Sequence, residues 1–271
     1  MEKKLSKSER LSIMTHYFVQ NPSKVFTLQF FSELLDSAKS TLSEDIDILR
    51  HLFEKQSLGI IKSISGAAGG LYYSPIYNAE QMEAAALDLC TLLRDESRII
   101  IGGFLYTTDI LYTPSILETI ARSITTKFVD TEIDYIVTVE TKGIPLAMMI
   151  GRLLHKPVVT IRKSARLTEG TTIQMNYMAS SNGAIKTMAL PIKSIHRESK
   201  VLFVDDFMKA GGTAKGVIDL LRELNIEVMG KAFVMATKEP AVKLIDDYYA
   251  MVELDHIDEE KNKIFIYPNK N

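Results

Sequence analysis

Residues 201–214 read Val201-Leu202-Phe203-Val204-Asp205-Asp206-Phe207-Met208-Lys209-Ala210-Gly211-Gly212-Thr213-Ala214. Four apolar residues predict a buried strand, two carboxylates close its C-terminal end, and a loop of small residues leads straight into a helix over 214–224. In open α/β sheets ligands bind at the carboxyl ends of strands. A glycine-containing loop at a helix N-terminus presents backbone N–H groups and the positive end of the helix dipole, which suits a phosphate. Adjacent carboxylates above that loop can accept hydrogen bonds from vicinal ribose hydroxyls or approach Mg2+. The chemistry implied is recognition of a ribose 5-phosphate; without a ligand, the same residues make only an acidic strand end and a helix start. No GxxxxGK[ST] and no GxGxxG occurs in the chain, so neither a P-loop nor a dinucleotide fingerprint competes for the segment.

Outward from this segment, 133–139, 158–161 and 228–236 read as apolar strands, and 144–154 as a helix opening with Pro145 near its first position. Buried strands alternating with helices predict an α/β domain with a mostly parallel sheet flanked by helices. A helix over 78–94 (Met82, Ala85, Leu89, Leu92) precedes it.

The first 74 residues follow a different pattern. Leu11, Met14, Phe18 and Val19 fall at helical spacing before Asn21-Pro22, and Thr27 is placed to cap a short helix carrying Leu28, Phe31 and Leu35. A third helix over 37–56 repeats Leu42, Ile46, Leu49 and Phe53, with Thr41 and Glu44 at capping-box spacing. Gly59 ends it, and 60–65, a Gly66-Ala67-Ala68-Gly69-Gly70 turn and 71–73 predict a β-hairpin. That order is the order of a winged helix-turn-helix. The break at Ser74-Pro75 divides the chain into a DNA-binding domain, 1–74, and a second domain, 75–271.

The whole chain is 46% apolar and 24% charged, which excludes a disordered, collagen-like or coiled-coil protein. Its formal charge of −2 excludes a histone-like cationic binder while leaving room for a local DNA-binding face. One cysteine cannot form an intrachain disulfide, Cys90 reads as a small hydrophobe, and the five histidines show no metal-ligand clustering. MEKKLSKSER runs into an amphipathic stretch, so no signal peptide is expected, and no run approaches the ~18 apolar residues of a membrane span. The expected location is the cytoplasm.

VLFVDDFMKAGGT resembles the phosphoribosyl pyrophosphate (PRPP) motif of type I phosphoribosyltransferases. Joined to a winged helix, and with SAKSTLSEDI, GAAGG and ETKGIPLA alongside, the chain resembles the purine operon regulator (PurR) family of Gram-positive bacteria over essentially its full length. The resemblance implies a transcription regulator of purine biosynthesis genes that binds an operator in double-stranded DNA and senses PRPP as effector. It also implies a homodimer, and RNA polymerase as a partner if the regulator activates; a Mg2+ requirement stays open. Carried over by position, Asp205 and Asp206 take the ribose hydroxyls, and Ala210, Gly211, Gly212 and Thr213 cradle the 5-phosphate. Glu140-Thr141-Lys142-Gly143 matches the pyrophosphate loop, where Gly143 permits close backbone approach and Lys142 supplies a cation; by itself ETKG would be an ordinary βα turn. Arg162 and Lys163 stand before a polar segment, 164–186, that is too long for a plain connection and corresponds to a flexible hood. The two could meet the pyrophosphate or be a solvated basic pair.

Lys209 departs from the enzymes, several of which carry a small, hydroxyl or acidic residue there. A lysine cannot accept a proton from a base, and its stem takes space the base needs, though it could donate to the anionic ligand. PRPP is therefore expected to bind without being consumed. The alternative is an active purine phosphoribosyltransferase with an accessory N-terminal domain.

Toward DNA, the start of the third helix presents Ser37, Lys39, Ser40, Thr41 and Ser43, with Lys62 in the wing. Glu44, Asp45 and Asp47 are expected off the contact line. Residues 1–74 carry nine Lys/Arg and eight Asp/Glu, a net of only +1, with basic residues gathered at Lys3, Lys4, Lys7 and Arg10. So weak a field predicts modest affinity per module and a need for paired sites.

Overall fold

The computed structural model describes residues 4–66, 69–178 and 185–269. Lys3, the wing-tip residues Ala67 and Ala68, and part of the long polar segment (179–184) lie outside the described residues. The chain divides into two units, Met1–Asn78 with Arg152–His155 and Ala79–Gly151 with Lys156–Asn271.

In the first unit α1 spans Lys7–Gln20. It starts a turn before the apolar pattern because Ser6 and Glu9 form a reciprocal cap: Glu9 N–H donates to Ser6 Oγ, and Ser6 N–H donates to the Glu9 carboxylate at 2.7 Å. Helix α2, Leu28–Leu35, is capped by Thr27, whose Oγ1 accepts from Phe30 N–H at 3.0 Å. Helix α3 spans Lys39–Lys55. The capping box expected at Thr41 and Glu44 does not form, because the helix has already begun: its N-cap is Ala38, without a side-chain cap. The turn before it is closed instead by Asp36 in the left-handed region (φ 44°) and by Ser32 Oγ donating to the Ser37 carbonyl at 2.7 Å.

Strands β1, Ile60–Ile64, and β2, Gly70–Ser74, pair antiparallel, and Phe26 bridges to Leu71 beside them. Arg50 ties the hairpin to α3, donating to the Ile61 carbonyl and Ser63 Oγ, each at 3.1 Å. Met14, Phe18, Phe26, Phe31, Leu42, Ile46, Leu49 and Phe53 close over one core. Its aromatic rings meet edge-on or tilted, as between Phe18 and Phe31 at 5.4 Å.

The second unit opens with α4, Ala79–Leu93, then a small antiparallel pair, β3 (Ile99–Ile100) and β4 (Phe104–Leu105), and helices α5 (Thr108–Tyr112) and α6 (Pro114–Phe128). There follow β5 (Tyr135–Val139), α7 (Gly143–Leu154), β6 (Val158–Ile161) and an antiparallel hairpin of β7 (Thr172–Met178) and β8 (Ile185–Pro191). The chain ends with β9 (Lys200–Met208), α8 (Gly212–Arg222), β10 (Glu227–Thr237), β11 (Tyr249–Asp258) and β12 (Lys263–Pro268).

Six strands make one sheet in the order β12-β11-β10-β9-β5-β6, parallel throughout except for β12. Helices α4 and α6 pack on its β10–β12 side. Phe203 and Phe233, buried with Val137 and Leu220, anchor the core at a ring separation of 5.8 Å.

Candidate functional site

Strands β5 and β9 are neighbours although a crossover, β6 and a hairpin separate them in sequence. From β5 the chain crosses through α7 to β6 on one side, and from β9 through α8 to β10 on the other. The order reverses between them, so the loops after β5 and β9 part and leave a crevice, the usual position of ligands in such sheets. Thr141, Lys142 and Gly143 follow β5 into it, and the last residues of β9, from Asp205, lead through residues 209–211 to the start of α8.

The two carboxylates lie within the last turns of β9 rather than beyond it, since the strand runs on to Met208. Asp206 N–H donates to Asp205 Oδ1 at 3.0 Å. Burial, and then the neighbouring Asp206 carboxylate, push Asp205 well above the ordinary carboxylate range, and Lys163 partly offsets this. Gly211, at φ 85°, is the N-cap of α8 and provides no side-chain cap. The first N–H groups of α8 are thus left for an anion. Ala210 and Thr213 are half-buried beside them.

Gly143 approaches this loop from the β5 side: a Cβ there would collide with Thr138 Oγ1 and stand 2.7 Å from Asp205 Oδ1. The Thr138 hydroxyl is buried and has no hydrogen-bond partner. The Glu140–Thr141 peptide is cis. Lys142 is half-buried, 3.4 Å from Thr107 Oγ1, and Thr141 is exposed.

A cavity of about 470 Å³ opens beside Asp206. Lys142, Asp206 and Lys209 line it with Glu239, Asp255 and His256, alongside apolar residues such as Leu89, Ile110 and Leu254. Lys209 thus faces the chamber next to the carboxylates.

The structure gives Arg162 partners that the sequence does not show. Its guanidinium is engaged by two carboxylates, through Nη1 with Glu140 Oε2 at 3.2 Å and through Nη2 with Glu169 Oε1 at 2.6 Å. Lys163 is exposed, and its backbone N–H donates to Glu140 Oε1 at 2.7 Å. Burial tends to raise the Glu140 carboxyl, but the Lys163 amide and the Arg162 and Arg166 guanidiniums hold it below its usual value. Glu169 has no signal in the sequence, and Glu140 enters it only as the first residue of the ETKG loop.

In the first unit Lys39, Ser40 and Ser43 are exposed at the start of α3 and Thr41 is half-buried. Ser37 drops out of that row: it is buried, and its hydroxyl donates to the Leu35 carbonyl at 3.0 Å. Arg10 leaves the basic cluster for the same reason, buried against Asp45 at 2.7 Å. Asp47 pairs with Arg50 at 2.6 Å, whereas Glu44 is exposed on the open side, one turn after Ser40. Lys62 lies half-buried on β1. No helix among the described residues is long and apolar enough to cross a membrane.

The family description "Bacterial purine repressor, N-terminal" matches residues 6–75, and "Phosphoribosyl transferase domain" matches residues 107–267. Over 97% of the chain and 92% of the relative, the sequence is 40% identical to the purine biosynthesis transcriptional repressor PurR of Bacillus subtilis. It is 34% identical to the purine biosynthesis transcriptional activator PurR of Lactococcus lactis, over 94% of each chain. In fold, adenine phosphoribosyltransferase of Saccharomyces cerevisiae superposes with a TM-score of 0.54 at 22% identity, covering 62% of this chain and 98% of that one.

Proposed function

The chain belongs to the family of bacterial purine biosynthesis transcriptional regulators, and from that premise we propose that its second unit senses PRPP without transferring its phosphoribosyl group. The observation that carries this reading is the meeting of Asp205 and Gly143 at the reversal of strand order, directly beside the uncapped start of α8. The α8 N–H groups and Thr213 suit the 5-phosphate, Asp205 and Asp206 suit the ribose hydroxyls, and the Gly143 backbone with Lys142 and Lys163 suits the diphosphate. Mg2+ accompanying PRPP would take oxygens of the diphosphate and, on the protein side, of Asp205 or Asp206. Lys209 is what argues for binding without transfer: it puts an ammonium group, which cannot accept a proton from a base, on the wall of the chamber that an incoming base would have to enter.

The first unit is the DNA-binding module, and the proposed target is an operator upstream of purine genes, reached in the cytoplasm. Lys39, Ser40, Thr41 and Ser43 would face base edges or phosphates, and Lys62 the backbone. With a net charge of +1 on residues 1–74, a single module gains little from counterion release, which supports a homodimer on paired half-sites. PRPP regulates only by binding the free and DNA-bound states unequally, or by changing a later encounter with RNA polymerase.

Calorimetry with PRPP, followed by fluorescence anisotropy of a purine-operon upstream duplex with and without PRPP at fixed salt, tests the sensor. The expected result is PRPP binding lost in Asp206→Ala together with a PRPP-dependent change in DNA affinity. Base-dependent release of pyrophosphate from PRPP with adenine, hypoxanthine, guanine or xanthine would instead make the protein an active transferase, a reading for which the 470 Å³ chamber leaves room.

A further inference from the structure

We infer that Arg162 is a positioning residue that braces the β5–α7 loop against the start of the hairpin segment, acting on the ligand through Glu140 and Glu169 without touching it. The inference rests on the PRPP reading of the site. Three contacts converge on it. The Arg162 backbone pairs with Ala189 of β8 in both directions at 2.8 Å, so the residue is held between β6 and the hairpin. On one side its Nη1 reaches Glu140, whose carboxylate also accepts from Lys163 N–H. On the other side both Nε, at 2.8 Å, and Nη2, at 2.6 Å, reach the same oxygen of Glu169.

Charge decides against direct ligation. A diphosphate brought within reach of this guanidinium would also face two carboxylates, and like charges at such distances repel strongly. Arg166, exposed and 4.0 Å from Glu140, adds a second cation beside the brace. Lys163 is the next residue, is exposed, and already acts electrostatically on Asp205, so it and not Arg162 stands on the ligand side. The joint has one weak point: Glu169 Oε2 is buried without a partner, so this carboxylate is held by one oxygen only.

The test uses the full-length protein carrying Arg162→Gln, Glu169→Gln or both, with PRPP dissociation constants from calorimetry and ligand-free hydrogen exchange over 141–146 and 166–173. A brace predicts that each single change weakens PRPP binding by about fivefold, that the double change is no worse than the worse single, and that Arg162→Lys restores part of the loss. It also predicts faster ligand-free exchange over both segments in each single variant. If Arg162→Gln costs far more than Glu169→Gln, and by the same factor in either Glu169 background, Arg162 is a ligand contact and the inference fails. If the unaltered protein binds no PRPP, the sensor reading fails alone, and exchange decides the brace: rates unchanged in both variants overturn it.

Discussion

Arg10 and Asp45 meet in a buried ion pair, Nε to Oδ2 at 2.7 Å, that joins α1 to the middle of α3. The guanidinium also donates to the Leu5 carbonyl at 3.1 Å, so its charge is used up inside the first unit. Removing one member of such a pair leaves the other charge buried and alone, at a cost of about 3 kcal/mol. Arg10→Met is therefore expected to lower the unfolding midpoint in urea while leaving unchanged the slope of log affinity against log salt for operator DNA. Lys39→Ala should do the reverse, with stability unchanged and the slope reduced by about 1. An equal loss of slope in both variants would return Arg10 to the DNA face.

Gly143→Ala tests the close approach of the two loops. The new methyl group would overlap the Thr138 hydroxyl and stand 2.7 Å from Asp205 Oδ1, both on strands at the sheet centre. The loop must move, and with it the backbone that faces the diphosphate. PRPP affinity should fall by at least about tenfold, the scale on which sub-ångström misplacement acts, while operator binding without PRPP stays as it was. Calorimetry and anisotropy on the same preparation separate the two effects.

The β9 segment was legible because everything it needs is local: an apolar run, two carboxylates and a glycine turn in one stretch of chain. The same holds for α2, whose Thr27 cap lies beside the residues it serves. What escaped was set at a distance. Nothing near Arg162 reveals that Glu169 and Glu140 will both claim it, and nothing near Arg10 reveals Asp45, because each pairing is made by packing. Strand β7 is hidden for another reason: its residues alternate between partly buried and exposed rather than forming an apolar run, so the pattern resembles a loop, whereas β8 does end on four buried residues. The true cap of α1 was local and readable, as Ser6 and Glu9 at S-x-x-E spacing, but it lies one turn upstream of the apolar pattern that drew the helix start.

Cys90 offers a check on the packing of α4. The thiol is fully buried, and burial pushes its pKa up to about 11. At pH 8 the thiolate, the reactive form, is therefore scarce as well as inaccessible. A disulfide-exchange reagent should leave the folded protein unlabelled for hours and modify one equivalent on unfolding in urea. Rapid native labelling would mean that α4 opens readily from β11 and β12, against which it packs.

Asp205 makes the site a source of pH-dependent stability. Its carboxyl is raised, first by burial and then by Asp206, so between the ordinary carboxylate value and the raised one the folded state holds a proton that the unfolded chain has lost. In that window stability falls as pH rises, because the unfolded state binds fewer protons. Above it, the folded protein carries a half-buried, poorly solvated carboxylate beside a second one. Asp205→Asn removes the titration and keeps the shape. The variant should be more stable than the unaltered protein at pH 8, and the difference should shrink steadily toward pH 5, as urea midpoints at the two values would read. PRPP affinity should move the opposite way: a carboxylate that accepts ribose hydroxyls binds best when ionised, and the asparagine, which offers one acceptor in place of the ionised pair, should bind PRPP poorly at both values. A variant that gained stability at pH 8 and kept full PRPP affinity would separate Asp205 from the ligand and leave Asp206 alone to meet the ribose.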